Sequence, residues 1–326
     1  MARTIPPSAT TMPMLPGRLW LVLILVVALA ILAPYLALRR EARTLDAAAR
    51  AALGGSYVAL PSGVTHYELS GSVDGPMVVL IHGGTIPLFT WDAQMTALRD
   101  AGFRVLRYDH FGRGYSDRPK MTYDRAVYRK QLEDLLAALD IEGPVNLVGV
   151  SFGAAIAATF AKAHPERVAK LVLIAPVVDY AEGKALFGLA KVPLLSEWYA
   201  RVFSVRATVA RANGFFQASG ADPSYAQRFE EQTRFEGYEQ ALLSMSRTDA
   251  LTSYHDIYAS LADQPTLLLW GSEDSEIPRE HMEFLQQNLR DVSFVELEGA
   301  GHGVTIQRKE EVNRRLTDFL SDIGAP

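Results

Sequence analysis

A serine at the junction of a strand and a helix is the feature that most restricts how this chain can fold. Ser151 is the centre of the pentapeptide Gly-Val-Ser-Phe-Gly at residues 149–153, between an apolar run at 145–148 and an alanine-rich run at 154–158. A sharp strand-to-helix turn presents the hydroxyl above a sheet and leaves space only for glycine at the two flanking positions. Serine is a poor nucleophile at neutral pH unless a base lies within hydrogen-bond reach. The alternative is a turn of small residues with no catalytic role. Whether the rest of the sequence supplies a base and oxyanion donors decides between the two.

The first partner is a glycine loop upstream. Residues 77–81 are a short β-branched run, which predicts a buried strand, and His82-Gly83-Gly84 follows it. Glycines at the end of a strand can direct backbone N–H groups into a cavity, where such donors stabilise a developing oxyanion. We expect the N–H groups of Gly84 and Phe152 to form that pair. An ordinary glycine turn is the alternative for this loop taken alone.

The other partners lie downstream. A second apolar strand is predicted at residues 266–270 and is followed by Asp274. A carboxylate placed just after a strand can hold a histidine in one tautomer. The alternating run at 292–297 predicts a further strand, which leads into a glycine-rich loop that contains His302. Serine, aspartate and histidine therefore occur in the order found in one hydrolase fold.

Two other carboxylates compete with Asp274 for the orienting role. Glu273 is its neighbour, and Asp179 follows a different predicted strand at residues 171–174. The spacing from Gly271 favours Asp274 over Glu273 as the residue that orients the histidine. Asp179 is expected to lie at the start of an inserted segment. Trp270 is interpreted as a core residue at a strand end.

The remaining histidines receive structural interpretations. His82 is expected to form hydrogen bonds beneath the site rather than to act in catalysis. His110, His164 and His255 show no ligand spacing with other histidines or carboxylates. No metal is therefore predicted.

Alternating strand and helix patterns fill most of the chain. A hairpin is predicted at residues 57–69, a strand at 104–108, a helix at 123–139 and a closing amphipathic helix at 309–320. Such alternation predicts an α/β fold with a mostly parallel, doubly wound sheet. The alternation stops at residues 176–263, where the patterns are helical, as at 225–235 and 238–246.

The chain resembles the α/β-hydrolase-fold enzymes over about residues 57–323. Several blocks beside the serine pentapeptide carry the resemblance, at 82–84, 108–119, 164–168, 269–274 and 299–302. The resemblance implies Ser151 as nucleophile, His302 as base and Asp274 as the residue that orients it. It also implies oxyanion donors at Gly84 and Phe152, with no cofactor. Ala154 departs from the second glycine of many relatives, and Val304 and Thr305 depart from the usual continuation of the histidine loop.

The resemblance further implies an enzyme with a helical cap at residues 176–263. The expected activity is hydrolysis of a small lipophilic carboxylic ester; a carbon–carbon hydrolase of the meta-cleavage type and a non-catalytic binding protein are the alternatives. Serine at position 151 argues against epoxide hydrolases and haloalkane dehalogenases, which have aspartate there. Packing of the cap onto the core is expected to account for most of its apolar side chains. Six of them would also suit a lipophilic pocket: Leu186, Phe187, Val192, Phe203, Phe215 and Phe216.

The N-terminal region is a separate segment. Residues 19–38 contain no charge, and 20 residues at about 1.5 Å each can cross a hydrocarbon core of about 30 Å. Uninterrupted length and the following Arg39-Arg40 favour a retained transmembrane anchor over a signal peptide cleaved after Ala30. Arginines are more numerous after this segment than before it, which favours a cytoplasmic catalytic domain. The expected division is 1–18 N-terminal segment, 19–38 anchor, 39–56 linker with helical character, 57–175 and 264–326 hydrolase core, and 176–263 cap.

Composition excludes several other classes of function. The net charge is −5 and no long basic run is present, which argues against nucleic acid as a partner. The chain has no cysteine, which excludes disulfides, thiol catalysis and cysteine-based zinc sites. Oligomeric state is left open.

Overall fold

The fold is described from a computed structural model for residues 17–180 and 190–322. The chain divides into two compact units, of which the first ends at Arg39 and the second begins at Arg40. The expectations above that concern residues 1–16, Leu186, Phe187 and residues 323–326 lie outside the described residues.

The first unit contains one long apolar helix. Helix α1, Gly17–Ala37, has Pro34 in its last turn, where the N–H of Leu38 still donates to the Pro34 carbonyl oxygen at 2.9 Å. Its side chains are exposed within the protein, Leu36 for example by 65%. Among the helices of the described residues, only this one is long and apolar enough to cross a bilayer, and a signal sequence has the same properties. The prediction of a transmembrane anchor therefore stays a prediction.

The second unit is built on an eight-stranded sheet in the order β1-β2-β4-β3-β5-β6-β7-β8. The pairs β1–β2 and β2–β4 are antiparallel and all other pairs are parallel, which confirms the mostly parallel sheet. The strands are β1 Ser56–Leu60, β2 Gly63–Gly71, β3 Met77–Ile81, β4 Arg104–Tyr108, β5 Val145–Val150, β6 Val168–Ile174, β7 Thr266–Gly271 and β8 Val292–Leu297.

Helices cover both faces of this sheet. One buried layer joins the sheet to α4, α5, α10 and α11, and the other joins it to α3 and α13. Strands β5 and β7 are buried along their whole length, as parallel strands between two helical layers must be. The helices of this unit are α2 Ala47–Leu53, α3 Asp92–Asp100, α4 Arg125–Ala138, α5 Phe152–Ala163, α6 Leu195–Tyr199, α7 Val205–Ala218, α8 Ser224–Gln232, α9 Tyr238–Ser246, α10 His255–Ala259, α11 Arg279–Asn288, α12 Val304–Gln307 and α13 Lys309–Ser321.

Within its described residues, the regular elements of the region between β6 and β7 are helices. Helices α6 and α7 are joined through a π-helical turn, Ala200–Ser204, so that residues 195–218 form one continuous helix. Helices α8 and α9 then run close to the predicted patterns at 225–235 and 238–246. We refer to residues 190–259 as the helical insertion.

The segment after α1 differs from the expected helical linker. Helix α2 begins only at Ala47, because the Asp46 carboxylate accepts the Ala49 N–H at 2.8 Å and so caps the helix. Before it, Arg43 pairs with Phe235 in a parallel β-bridge. The alanine-rich sequence therefore forms a shorter helix, and the residues before it adopt an extended path along the insertion.

Candidate active site

Ser151 stands on a strained turn between β5 and α5. Its φ is 54°, in the left-handed region that costs free energy for any residue except glycine. The turn tolerates no side chain at the two glycines, since a Cβ on Gly149 would lie 2.4 Å from the Gly153 carbonyl oxygen and a Cβ on Gly153 would lie 2.1 Å from that of Ile81. The glycines of the pentapeptide are thus a steric requirement of this turn.

The structure places His302 against this serine. Its Nε2 lies 3.0 Å from Ser151 Oγ, and its Nδ1 lies 2.9 Å from Asp274 Oδ2. Because a carboxylate only accepts hydrogen bonds, Nδ1 carries the hydrogen and Nε2 of the neutral ring can accept the serine proton. The three residues predicted from their chain order therefore form one hydrogen-bonded row.

Asp274 is fixed by the turn that follows β7. Its side chain is fully buried, and Oδ1 accepts the N–H groups of Glu276 at 2.8 Å and Ile277 at 2.9 Å. Both oxygens of the carboxylate are engaged, so its orientation toward His302 is set by the backbone. The Nδ1 hydrogen of His302 is taken by Asp274 and not by the rival Asp179, whose Oδ2 lies 3.9 Å from Nδ1 of His255.

Glu276 is a second carboxylate near the histidine, and the sequence reasoning missed it. Its Oε2 lies 3.9 Å from Nε2 of His302, while its Oε1 accepts a hydrogen bond from Arg211 at 3.0 Å. Burial of the His302 ring lowers its pKa, but the hydrogen bond and charge of Asp274, helped by Glu276, outweigh burial and hold that pKa above the ordinary value. In the sequence, the position of Glu276 two residues after Asp274 could have indicated that it lies near the histidine.

His82 fixes the glycine loop that faces the serine. Its Nε2 accepts the backbone N–H of His110 at 3.0 Å, so the hydrogen is on Nδ1, which donates to the Gly83 carbonyl oxygen at 2.7 Å. Complete burial lowers the pKa of His82 to about 4, which keeps the ring neutral at ordinary pH. In a trans peptide the carbonyl and the next N–H point in opposite directions, so this bond turns the Gly84 N–H away from His82.

Arg113 holds the next peptide of the same loop. Its Nε donates to the Gly84 carbonyl oxygen at 2.6 Å, and the residue is only 1% exposed. A Cβ on Gly84 would lie 3.7 Å from that of Phe152, so the two predicted oxyanion residues are neighbours. In the sequence, Arg113 lies within residues 108–119, which carry part of the family resemblance, but that resemblance did not predict its contact with Gly84.

The other histidines have partners unrelated to metal binding. His110 Nε2 donates to the His82 carbonyl oxygen at 2.8 Å, His164 Nε2 lies 2.7 Å from Glu133, and His255 Nδ1 lies 2.6 Å from the Ser253 hydroxyl. Over residues 17–180 and 190–322, no three His, Asp or Glu side chains are grouped as metal ligands.

A cavity of about 500 Å³ opens above Ser151 and His302. Most of its wall is apolar, with Arg113, Asp179, Arg211 and Glu276 as charged members. The apolar wall includes Ile86, Val177, Ala212, Phe215, Leu242, Met245, Leu251 and Ile277.

The expected pocket residues of the helical insertion are only partly correct. Phe215 lines the cavity, whereas Phe216 packs in a buried cluster with Phe89 and Phe229. Val192 and Phe203 are 45% and 51% exposed to solvent and do not line the cavity, so neither the pocket nor packing onto the core accounts for them. They precede the part of the helix that reaches the cavity.

Trp270 is a core residue, as expected. It is 3% exposed, and its indole Nε1 donates to the Ile277 carbonyl oxygen at 3.0 Å.

The sheet order, the strained serine turn and the histidine hydrogen-bonded to it define a hydrolase of the α/β type. The chain belongs to the α/β hydrolase fold family, which it matches over residues 76–309.

Known proteins of several activities are similar to this chain. A non-heme chloroperoxidase of Streptomyces lividans is 26% identical over 78% of this chain and 95% of its own length. A 2-hydroxy-6-oxo-6-phenylhexa-2,4-dienoate hydrolase of Comamonas testosteroni is 28% identical over 78% of this chain and 90% of its own. The crystal structure of an enol-lactonase from Burkholderia xenovorans has a TM-score of 0.69 at 22% identity, covering 82% of this chain and 100% of that one. This likeness confirms the fold.

Proposed function

We propose that the protein is a serine hydrolase that cleaves a carboxylic ester through a covalent acyl-enzyme. The observation that carries the proposal is the row of hydrogen bonds from Ser151 Oγ through His302 to Asp274, at 3.0 and 2.9 Å. Ligand binding alone has no need for a strained serine, a tautomer-fixed histidine and a buried carboxylate in one row.

The proposed reaction proceeds in two halves. His302 Nε2 takes the proton of Ser151 as Oγ attacks the ester carbonyl, and the N–H groups of Gly84 and Phe152 bind the oxyanion. Collapse of the tetrahedral intermediate expels the alcohol, which receives the proton from His302. Water, deprotonated by the same ring, then attacks the acyl group; the acid leaves and Ser151 regains its proton.

A lipophilic ester is the proposed substrate class. The wall of the cavity is mainly apolar and its volume is about 500 Å³, which suits a small molecule held by burial of apolar surface. The wall residues lie on both the sheet edge and the helical insertion, so the insertion acts as a cap in this proposal.

A carbon–carbon hydrolase is the second candidate. The Comamonas testosteroni relative is named as a dienoate hydrolase, and a dienoate carries a carboxylate. Arg113 and Arg211 both line the cavity, and a guanidinium can pair with a carboxylate. Arg113 also donates to the Gly84 carbonyl oxygen and Arg211 to Glu276, so a substrate carboxylate would share these donors. This favours testing a dienoate beside the esters.

The test is a panel of nitrophenyl esters of graded acyl length, measured beside the dienoate substrate of the meta-cleavage type. The proposal predicts turnover of at least one ester with an optimum in acyl length, and no turnover by Ser151→Ala. Turnover of the dienoate alone would replace ester cleavage by carbon–carbon cleavage. No Ser151-dependent turnover of either class would overturn both.

We further propose that α1 is a retained anchor, with the catalytic unit on the cytoplasmic side. Burial of about 20 apolar residues in lipid does not depend on salt. The full chain should therefore stay with membranes after high-salt and carbonate washing, and intact cells should protect the catalytic unit from external protease. A soluble mature chain that begins after Ala30 would contradict the anchor.

A further inference from the structure

The helical insertion carries an exposed apolar patch. Val192, Leu194, Leu195 and Phe203 are 45%, 83%, 47% and 51% exposed. Four large apolar side chains so close in sequence and so open to solvent gain little from folding. Clustered exposure of this kind marks a surface that meets an apolar partner.

Aromatic rings extend this patch. The ring of Phe203 lies 5.6 Å from that of Trp198 and 5.7 Å from that of Tyr199, measured between centroids. Tryptophan and tyrosine have an apolar body and a polar end, so they favour the boundary between lipid and water. We call these six residues, Val192, Leu194, Leu195, Trp198, Tyr199 and Phe203, the apolar patch.

Contacts through Glu239 and Arg201 connect the residues that follow α1 to the helix that carries the patch. Arg40, three residues after the end of α1, is ion-paired to Glu230 at 2.7 Å. The next residue, Glu41, accepts the backbone N–H of Glu239 at 2.6 Å, and the Glu239 carboxylate pairs with Arg201 at 2.9 Å. Arg201 lies within the patch sequence. The helix that carries the patch is therefore tied to the segment that directly follows the proposed anchor in the chain.

The same helix connects the patch to the cavity. Residues 195–218 form one continuous helix with a π-helical turn at Ala200–Ser204. Phe203 precedes Thr208, Arg211 and Phe215, which line the cavity above Ser151. The helix that carries the patch therefore also forms part of the cavity wall.

We propose that the apolar patch docks into the lipid bilayer that α1 spans. Docking places the cavity of the helical insertion at the lipid surface, so the substrate is a lipophilic ester taken from the membrane. The proposal rests on the membrane attachment and the ester cleavage proposed above, and it adds a second, peripheral contact with lipid. A second copy of this chain is the competing occupant of the patch.

The absence of cysteine from the sequence allows a direct measurement. Leu194→Cys and Phe203→Cys, each made in the full chain, are labelled with a nitroxide and reconstituted in phosphatidylcholine vesicles. Val73→Cys is the matched control, because Val73 is 77% exposed and lies in the turn that leads into the amino end of β3, away from the insertion. Collisions with oxygen report lipid, and collisions with a soluble nickel chelate report water.

The proposal predicts high oxygen and low nickel accessibility at positions 194 and 203, with the reverse at 73. Accessibilities at 194 and 203 equal to those at 73 would overturn it. Dipolar broadening at 194 that disappears when unlabelled chain is added would also overturn it, in favour of a second copy. These readouts need no turnover, so they hold even if the proposed activity is wrong.

An activity measurement completes the test. The double variant Leu194→Asp, Phe203→Asp in vesicles should lose roughly tenfold or more in kcat/KM on a long-chain ester dissolved in the bilayer, because burial of two large apolar side chains is replaced by charge. Its rate on a short soluble ester, and both rates of Val73→Asp, should stay within about twofold of wild type. Equal losses on both esters would contradict docking and indicate damage to the fold.

Discussion

The sheet edge around Ser151 and the helical insertion above it are held in different ways. At the sheet edge, neighbours in sequence set much of the geometry: a Cβ on Gly149 would meet Gly153 four residues later, and two N–H groups just after Asp274 orient its carboxylate. In the insertion, contacts with residues almost 200 positions away in the sequence set the geometry. Glu41 accepts the N–H groups of Gly237 at 3.1 Å and Glu239 at 2.6 Å, and so caps α9 from outside.

This difference separates chemistry from substrate access. The hydrogen-bonded row of the site belongs to the sheet edge, while Leu242 and Met245 of α9 form part of the cavity wall. We expect changes at the sheet edge to lower kcat. Changes in the segment that follows α1 should act on stability and on KM, and a shortened chain should begin at Arg40 rather than at Gly55.

Asp274→Asn tests the sheet edge and carries the largest expected effect. An amide can donate to the histidine and favour the wrong tautomer, so kcat on a short soluble ester should fall by about 10⁴-fold. Steady-state kinetics measure the loss, and circular dichroism checks the fold. Asp179→Asn and Glu273→Gln are the controls and should keep most of the activity. If Asp179→Asn causes the large loss of kcat instead, then Asp179, and not Asp274, is the carboxylate that orients His302.

His82→Ala tests the orientation of the glycine loop. Loss of the bond to the Gly83 carbonyl oxygen should lower kcat by about 10²-fold with little change in KM, because an oxyanion donor acts in the transition state. His82→Asn retains a donor near the position of Nδ1 and should recover much of the rate. A rise in KM with kcat unchanged would show that the loop contributes to substrate binding and does not stabilise the oxyanion.

Glu41→Gln tests the insertion. The amide keeps one acceptor but turns its NH₂ group toward a backbone N–H, so the free energy of unfolding should fall by about 1–2 kcal/mol. Chemical denaturation measures this change. Glu142→Gln, at an exposed position, should be neutral. A fall in kcat as large as that of His82→Ala would show that the two regions are not separable.

Glu276→Gln carries the smallest expected effect. Activity requires neutral His302, and the raised pKa of that ring places the acid limb of kcat/KM above the ordinary histidine range. Removal of the Glu276 charge lowers this pKa, so the acid limb should move to lower pH, and activity should persist further into acid. The shift should shrink with salt, because Glu276 is about half exposed. Glu273→Gln should leave the pH profile unchanged.

Local sequence was sufficient for the elements that carry the site. Strands β3 and β8 begin and end where alternation and β-branching predicted, and the turn at Ser151 follows from two glycines. The strands depend on a period of two and the Gly149 contact on a residue four positions away, and both can be read from the chain. The contact that excludes a Cβ at Gly153 is with Ile81, on another strand.

The remaining features depend on tertiary contacts. Residues 39–46 were expected to be helical, but pairing of Arg43 with Phe235 favours an extended path. Val192 and Phe203 were expected to face the pocket or the core because they are apolar, and apolar character alone does not show that a side chain is exposed. Arg113 acts on Gly84 across 29 positions, a separation that no local pattern reports.

The central claim is that His302 activates Ser151 as a nucleophile, and reaction of the full chain with a fluorophosphonate tests it most directly. The serine oxygen forms a bond to phosphorus as fluoride leaves, and intact-mass and peptide mass spectrometry locate the adduct. The account predicts a single adduct on Ser151, absent in Ser151→Ala and formed far more slowly in His302→Ala. Labelling of another residue, with ester turnover by Ser151→Ala within about tenfold of wild type, would contradict the account.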